Sequence, residues 1–199
     1  VCFGGQLQGG LVLKDLAPII PMLKDLNRPL DFSLAFKGQG KNVEIPLLEL
    51  SDERYLDVQG NLSLLNWDAK HDMFIQAELK NLSVTQPGIR YFMDNLTGSV
   101  PSILDRMEFV RFKGSAGGYF HDLQVGGLLQ TAAGAVDANL LINSDSDFKR
   151  TYSGGVKSKN LNLGKLLGDS KFGHTQFNVD LKGFNYNDKY PESYIKGLV

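Results

Sequence analysis

The chain has 199 residues, of which 42% are hydrophobic and 22% charged, with a formal net charge of -1. That length suits one domain with a sizeable core or a few small stacked units, and the composition excludes a disordered chain. Acidic and basic residues are interspersed without a Lys/Arg run, which sets aside phosphate-backbone binding, so no nucleic-acid partner is expected.

The single cysteine, Cys2, rules out an internal disulfide and a cysteine-only zinc site, and leaves the compartment open. The sequence starts at Val1 with no signal peptide, and no processing signal precedes Cys2 to mark it for lipidation. No apolar run approaches the ~18 residues that span a bilayer. The expectation is a fragment of a longer protein, with any anchor or targeting signal outside it.

Gln6 to Leu13 reads as an incoming strand. In LKDLAPIIPMLKDL, the residues Leu16, Ile19, Ile20 and Leu23 fall on one helix face, and Pro21 keeps that helix short. Asp31 to Phe36 alternates, with Phe32, Leu34 and Phe36 on one side, and ends at Lys37-Gly38. Strands follow at Val43 to Leu48 and Tyr55 to Leu64, the second interrupted at Gly60. Met73 to Leu79 points Met73, Ile75, Ala77 and Leu79 one way. A second short helix, PGIRYFMDNL, carries Ile89, Phe92, Met93 and Leu96 on one face.

After a turn at Gly98 to Pro101, Met107 to Phe112 leads to Lys113-Gly114. Glycine-punctuated strands are expected at Tyr119 to Val125, Leu128 to Thr131 and Val136 to Ile142, with a polar turn at Asn143 to Asp147. Tyr152 to Ser158 then enters a strand–helix–strand piece. Its helix carries Leu163, Leu166 and Leu167, and its strand presents Phe177, Val179 and Leu181 on one side. Phe184 to Val199 reads as the truncated start of a further unit.

Three corners, Lys14-Asp15-Leu16, Lys80-Asn81-Leu82 and Lys159-Asn160-Leu161, alternate with three strand endings, Phe36-Lys37-Gly38, Phe112-Lys113-Gly114 and Leu181-Lys182-Gly183. Corner to ending spans 23 positions from Lys14 to Lys37 and from Lys159 to Lys182, and 33 from Lys80 to Lys113. This order predicts repeat units at 11–72, 73–149 and 150–199, the last truncated, each with four or five strands and a short helix. The fold class is mainly β: an elongated, curled sheet, a β-groove of repeated strand units with short amphipathic helices. Alternation makes one sheet face wet and the other dry. Helices, a second sheet or something that is not protein must cover the dry face.

Nothing points to an enzyme, a metal site or a cofactor. His71, His121 and His174 are isolated, and Asp145-Ser146-Asp147 lacks the remaining ligands of a calcium loop. There is no Gly-x-Ser-x-Gly elbow, and the glycines at 114, 117 and 118 precede a strand, so they make no phosphate loop. Asn61, Asn81 and Asn95 head glycosylation-type sequons, as chance allows in a chain this rich in Asn, Ser and Thr.

The run FKGSAGGYFHDLQVGGLLQTAAGAVDANLLI, followed by YSGGVKSKNLNLGKLLGDSKFGHTQFNVDLKG, resembles the large TamB and AsmA-like proteins of Gram-negative bacteria, above all those of Bacteroidota. The likeness covers about Met107 to Gly183. It lies in the glycine- and threonine-spaced segment Leu123 to Gly134, in Tyr152-Ser153-Gly154, and in the Asn-Leu-x-Leu-Gly-x-Leu-Leu helix. The resemblance implies a periplasmic protein, anchored in the inner membrane, with an apolar β-groove that carries phospholipid acyl chains between the membranes. It also implies a link to an outer-membrane β-barrel partner and to barrel assembly. On that reading Phe32, Leu34, Phe36, Ile75, Phe177, Val179 and Leu181 face the groove floor. The same residues could equally fill a closed core. A scaffold for barrel assembly and a β-rich extracellular binding module are the alternatives, and the single Trp67 gives the latter little support.

Overall fold

Apolar and polar residues alternating at period two build strands, and short polar or glycine turns between them build antiparallel neighbours. The computed structural model describes residues 2–18, 23–69, 72–119, 121–144, 149–186 and 190–198. Its strands are β1 (Cys2–Val12), β2 (Pro29–Gln39), β3 (Asn42–Asp52), β4 (Leu56–Leu65), β5 (Phe74–Thr85) and β6 (Phe109–Tyr119), then β7 (Asp122–Thr131), β8 (Gly134–Ser144), β9 (Lys149–Asn162), β10 (His174–Tyr186) and β11 (Tyr190–Leu198). They form one antiparallel sheet in which each strand pairs with the next in sequence, from β1 to β11. Among the described residues β1 and β11 do not pair, so the sheet is not closed into a barrel.

The chain departs from its sequence pattern at the glycines. The expected break around Gly114 to Gly118 is absent, because β6 runs through it to Tyr119; β7 is likewise unbroken through Gly126-Gly127. Here glycine makes room for an aromatic ring. Gly114 pairs with Gly127, and a Cβ at Gly114 would lie 2.6 Å from the Phe112 ring, one at Gly127 only 2.5 Å from it. The ring therefore lies across both backbones and supplies the cover that their own side chains would have given. The last expected fragment, Phe184 to Val199, includes the end of β10 and all of β11.

Two of the three corners lie inside strands. Lys80-Asn81-Leu82 in β5 and Lys159-Asn160-Leu161 in β9 coincide with register shifts, where one strand carries an extra residue against its neighbour. Such a bulge returns Leu79 and Leu82 to the same face although they are three positions apart. Lys14-Asp15-Leu16 instead lies in a 3-10 turn, Leu13–Leu16, after β1. The helix face expected from Leu16 to Leu23 lies largely outside the described residues, as does Asp145-Ser146-Asp147.

Helix α1 (Gln86–Thr97) begins where the Thr85 hydroxyl accepts from the Gly88 amide at 3.2 Å, and ends at Gly98 with φ 74°, a left-handed position that suits glycine. Helix α2 (Ser102–Asp105) follows in the same connection, and Arg90 of α1 grips Asp105 with two guanidinium nitrogens. Hydrogen bonding to that guanidinium holds the Asp105 carboxyl below its ordinary range. Helix α3 (Leu163–Leu167) is capped by the Asn162 side chain, which accepts from the Lys165 amide at 2.8 Å. Helical connections thus follow β1, β5 and β9, every fourth strand, while β3–β4 and β7–β8 close the same end with tight turns. The endings Phe36-Lys37-Gly38, Phe112-Lys113-Gly114 and Leu181-Lys182-Gly183 fall in β2, β6 and β10, also four strands apart.

Burial is concentrated at that helical end. Leu26 and Leu30 meet Tyr91 and Phe92 of α1, while Ala133, Leu161 and Leu166 form a second cluster with Met107, Val136, Leu163 and Phe177. Arg28 ties the first cluster together. Its guanidinium lies 3.9 Å from the Tyr55 ring centroid, its Nε donates to Asp52 at 3.1 Å, and its amide donates to the Tyr91 hydroxyl at 3.2 Å. In the second, Arg106 donates to the Leu166 carbonyl at 3.2 Å, so α2 and α3 are joined.

Partial burial pushes the Asp52 carboxyl up, but the amides of Arg54 and Tyr55 and the Arg28 guanidinium outweigh this and leave it below its ordinary value. A carboxylate depressed on folding contributes stability above its unfolded pKa of about 3.9, lost as pH falls through the folded value. Asp52→Asn is therefore expected to cost about 1–2 kcal/mol at pH 7 and to flatten the acid limb of a stability–pH curve measured by urea unfolding. Leu161→Ala, in the second cluster, is expected to cost about 2–4 kcal/mol in the same assay.

Candidate functional site

In an antiparallel ladder, paired residues point to the same side, so register and alternation together assign each residue to a face. One row runs Gly9, Phe32, Leu50, Val58, Leu82, Phe112, Leu129, Val136, each paired with the next from β1 to β8. The adjacent row runs Leu7, Leu34, Leu48, Gly60, Leu79, Gly114, Gly127, Ala138, Val156, Val179, from β1 to β10. One face of the sheet is therefore apolar across β1 to β10.

The helices cover only the end of this face nearest their connections. Beyond it the apolar residues are half-buried, shielded by ladder neighbours, and no described element is stacked above them. Among the described residues no two non-adjacent strands come into extended contact, and no large side chain is fully buried. The accessible surface, 13097 Å², exceeds by about 40% the ~9,300 Å² expected of a compact monomer of 22.0 kDa. That excess belongs to a sheet with an uncovered face. On β1 about half of each large side chain is exposed, with Phe3 at 48% and Leu7 at 52%.

Phe32, Leu34, Phe36, Ile75, Phe177, Val179 and Leu181 all lie on this apolar face. They do not lie together: Phe32, Leu34 and Phe36 are on β2, Ile75 on β5, and Phe177, Val179 and Leu181 on β10. Phe32 and Phe36 lean over Gly9 and Gly5 of β1. Phe177 packs against the cluster of Ala133, Leu161 and Leu166, so protein covers that position. The middle of the face, Leu62, Phe112, Val125, Leu140 and Val156, escaped the sequence pattern. Bulges such as the shift between Ile45 and Leu48 break strict alternation there, and glycines thin it.

The opposite face is mainly polar and carries paired side chains: Asn61 to Glu78 at 2.9 Å, Asn81 to Asp57, Gln124 to Asn139 at 3.1 Å and Lys37 to Glu44 at 2.7 Å. Asn61 and Asn81, two of the sequon asparagines, are thus held in strands, and Asn95 donates to the Tyr91 carbonyl within α1. A concavity of about 750 Å³ lies over β4 to β8 on this polar side. The groove expected on the apolar side is not the concavity described here; a twisted sheet is saddle-shaped, and each face is hollow along one diagonal. His174 is held between Asn160 and Asn162, and no metal-binding cluster occurs among the described residues.

An uncovered face tolerates charge better than a packed one. Val125→Asp is expected to cost about 1 kcal/mol in urea unfolding, against about 3 kcal/mol or more for Leu161→Asp, and to reduce the fluorescence of a hydrophobic dye bound to the folded protein. No protein-family model, curated protein or solved structure matches the chain.

Proposed function

We propose that this chain is a segment of a bridge-like periplasmic protein of the TamB/AsmA-like kind, and that its apolar sheet face carries phospholipid acyl chains. The observation that supports this reading is the apolar face, continuous across β1 to β10 and covered by helices at one end, on a chain whose total accessible surface exceeds that of a compact monomer. An acyl chain laid along a row would meet Leu, Val, Phe and small residues, with about 0.8 kcal/mol for each methylene removed from water. It would meet no buried charge to arrest it, so it could slide between adjoining rows while its headgroup stayed at the rim.

The four-strand spacing of helical connections supports a repeat of the same architecture, with unit boundaries before β5 and β9. In a longer protein each unit would extend the face by four strands, about 19 Å at the usual strand spacing. Such units cannot bury their apolar side alone, and lipid would take the place of a second layer.

Native mass spectrometry of protein purified without detergent is expected to show bound phospholipid. Val125→Glu together with Val156→Glu, folded by circular dichroism, is expected to lose it. Equal lipid retention by wild type and the double variant would defeat the proposal.

One observation favours a second reading. Among the described residues no strand pairs with the outer edge of β1, Cys2–Val12, and strand addition there would suit a scaffold for outer-membrane β-barrel assembly. Gln6→Pro, on that edge, is expected to abolish photocrosslinks from β1 to a barrel substrate while leaving lipid content unchanged.

A further inference from the structure

The polar face also holds a feature that lipid carriage does not use. We infer that the concavity over β4 to β8 is a binding site for a neutral oligosaccharide. This rests on the face opposite the apolar one and stands or falls independently of the lipid reading.

The hollow, about 750 Å³, has the size of ordinary small-ligand sites, roughly 300–1,000 Å³. Its lining combines amides and a hydroxyl, Asn61, Gln76, Ser115, Gln124 and Asn139, with small residues that let a ligand approach the backbone. Side-chain amides both donate and accept, as successive sugar hydroxyls require. Several are held in place beforehand, Gln124 by Asn139 and Asn61 by Glu78, which lowers the cost of ordering them around a ligand.

Charge narrows the ligand class. No Lys or Arg lines the hollow, so phosphates, anionic lipid headgroups and nucleic acids find no counter-charge there. Its two carboxylates are engaged already, Glu78 by Asn61 and Asp137 by Lys157 at 3.8 Å. Glu78 keeps its negative charge, which turns anions away further, and its carboxylate can accept from a neutral hydroxyl.

An aromatic platform stands at one end, as the apolar faces of a pyranose ring require. Phe74 lines the hollow, Tyr119 meets it edge-on at 5.4 Å between centroids, and His121 stacks on Tyr119 at 5.8 Å. Tyr119 stands beside the hollow and is 47% exposed, with one ring face taken by His121 and the other left for a sugar. These aromatics are far from Trp67 in role and lie on different strands and turns, so only the register of β5 with β6 brings them together.

Gly117 provides a clean test, because a Cβ there meets nothing within 4 Å, so a larger side chain fills the hollow without straining the strand. Amide chemical shifts would be followed on titration with maltohexaose, cellohexaose and chitohexaose at millimolar concentration. At least one is expected to perturb β4 to β8 selectively. Gly117→Leu and, separately, Gln124→Ala are expected to weaken it about tenfold or more, while Gly10→Leu, on the polar side of β1 and equally unobstructed, leaves it unchanged. Failure of all three sugars to bind overturns the inference, as does binding that survives both substitutions in the hollow. Lipid content measured on the same variants separates this outcome from that of the lipid reading.

Discussion

Ladder hydrogen bonding between sequence neighbours is the constraint on which the rest of this molecule depends. A single sheet gives its strands few partners above or below, so the backbone pairs carry cohesion that a sandwich would share with its core. Every feature that shapes the sheet therefore acts through register: bulges in β5 and β9 keep leucines on the dry side, and Phe112 lies across paired glycines to keep two strands close. What core exists is gathered at the helical end, where Arg28 and Arg106 fasten one connection to the next.

Separation of the two faces follows from the same constraint. Because the period is two and the strands pair in sequence order, a pattern written along the chain becomes two chemically distinct surfaces, one apolar and one rich in amides. Neither needs the other's ligand. A protein that used one face for acyl chains and the other for sugar would be placing both activities on one ladder, separated by the thickness of a backbone.

The sequence made most of the strands, the α1 face and the apolar residues of β2 and β10 legible, because each is a local pattern of period 2 or 3.6. In α3 only Leu163 and Leu166 pack, while Leu167 is exposed, and the expected strand from Tyr119 to Val125 straddles the turn between β6 and β7. Bulges and glycines hid the middle of the apolar face: at Ile45 to Leu48 the alternation slips by one residue, and at Gly114 and Gly127 the apolar contact comes from a ring two residues away on the same strand or across the ladder. The Lys-Asn-Leu triplets looked like corners because Asn and Lys are turn residues; pairing on both sides kept them in strands. The polar hollow was illegible, since its residues are spread over β4 to β8 and meet only once register is known.

The strict order of the sheet also governs how the chain can fold. Since no strand waits for a distant partner, the largest gap between paired strands is the connection holding α1 and α2, and loop-closure entropy grows only slowly with such a gap. Structure can therefore grow strand by strand as polypeptide is synthesised, each new strand templated by the last. Lengthening the protein by further units would leave the local folding problem the same.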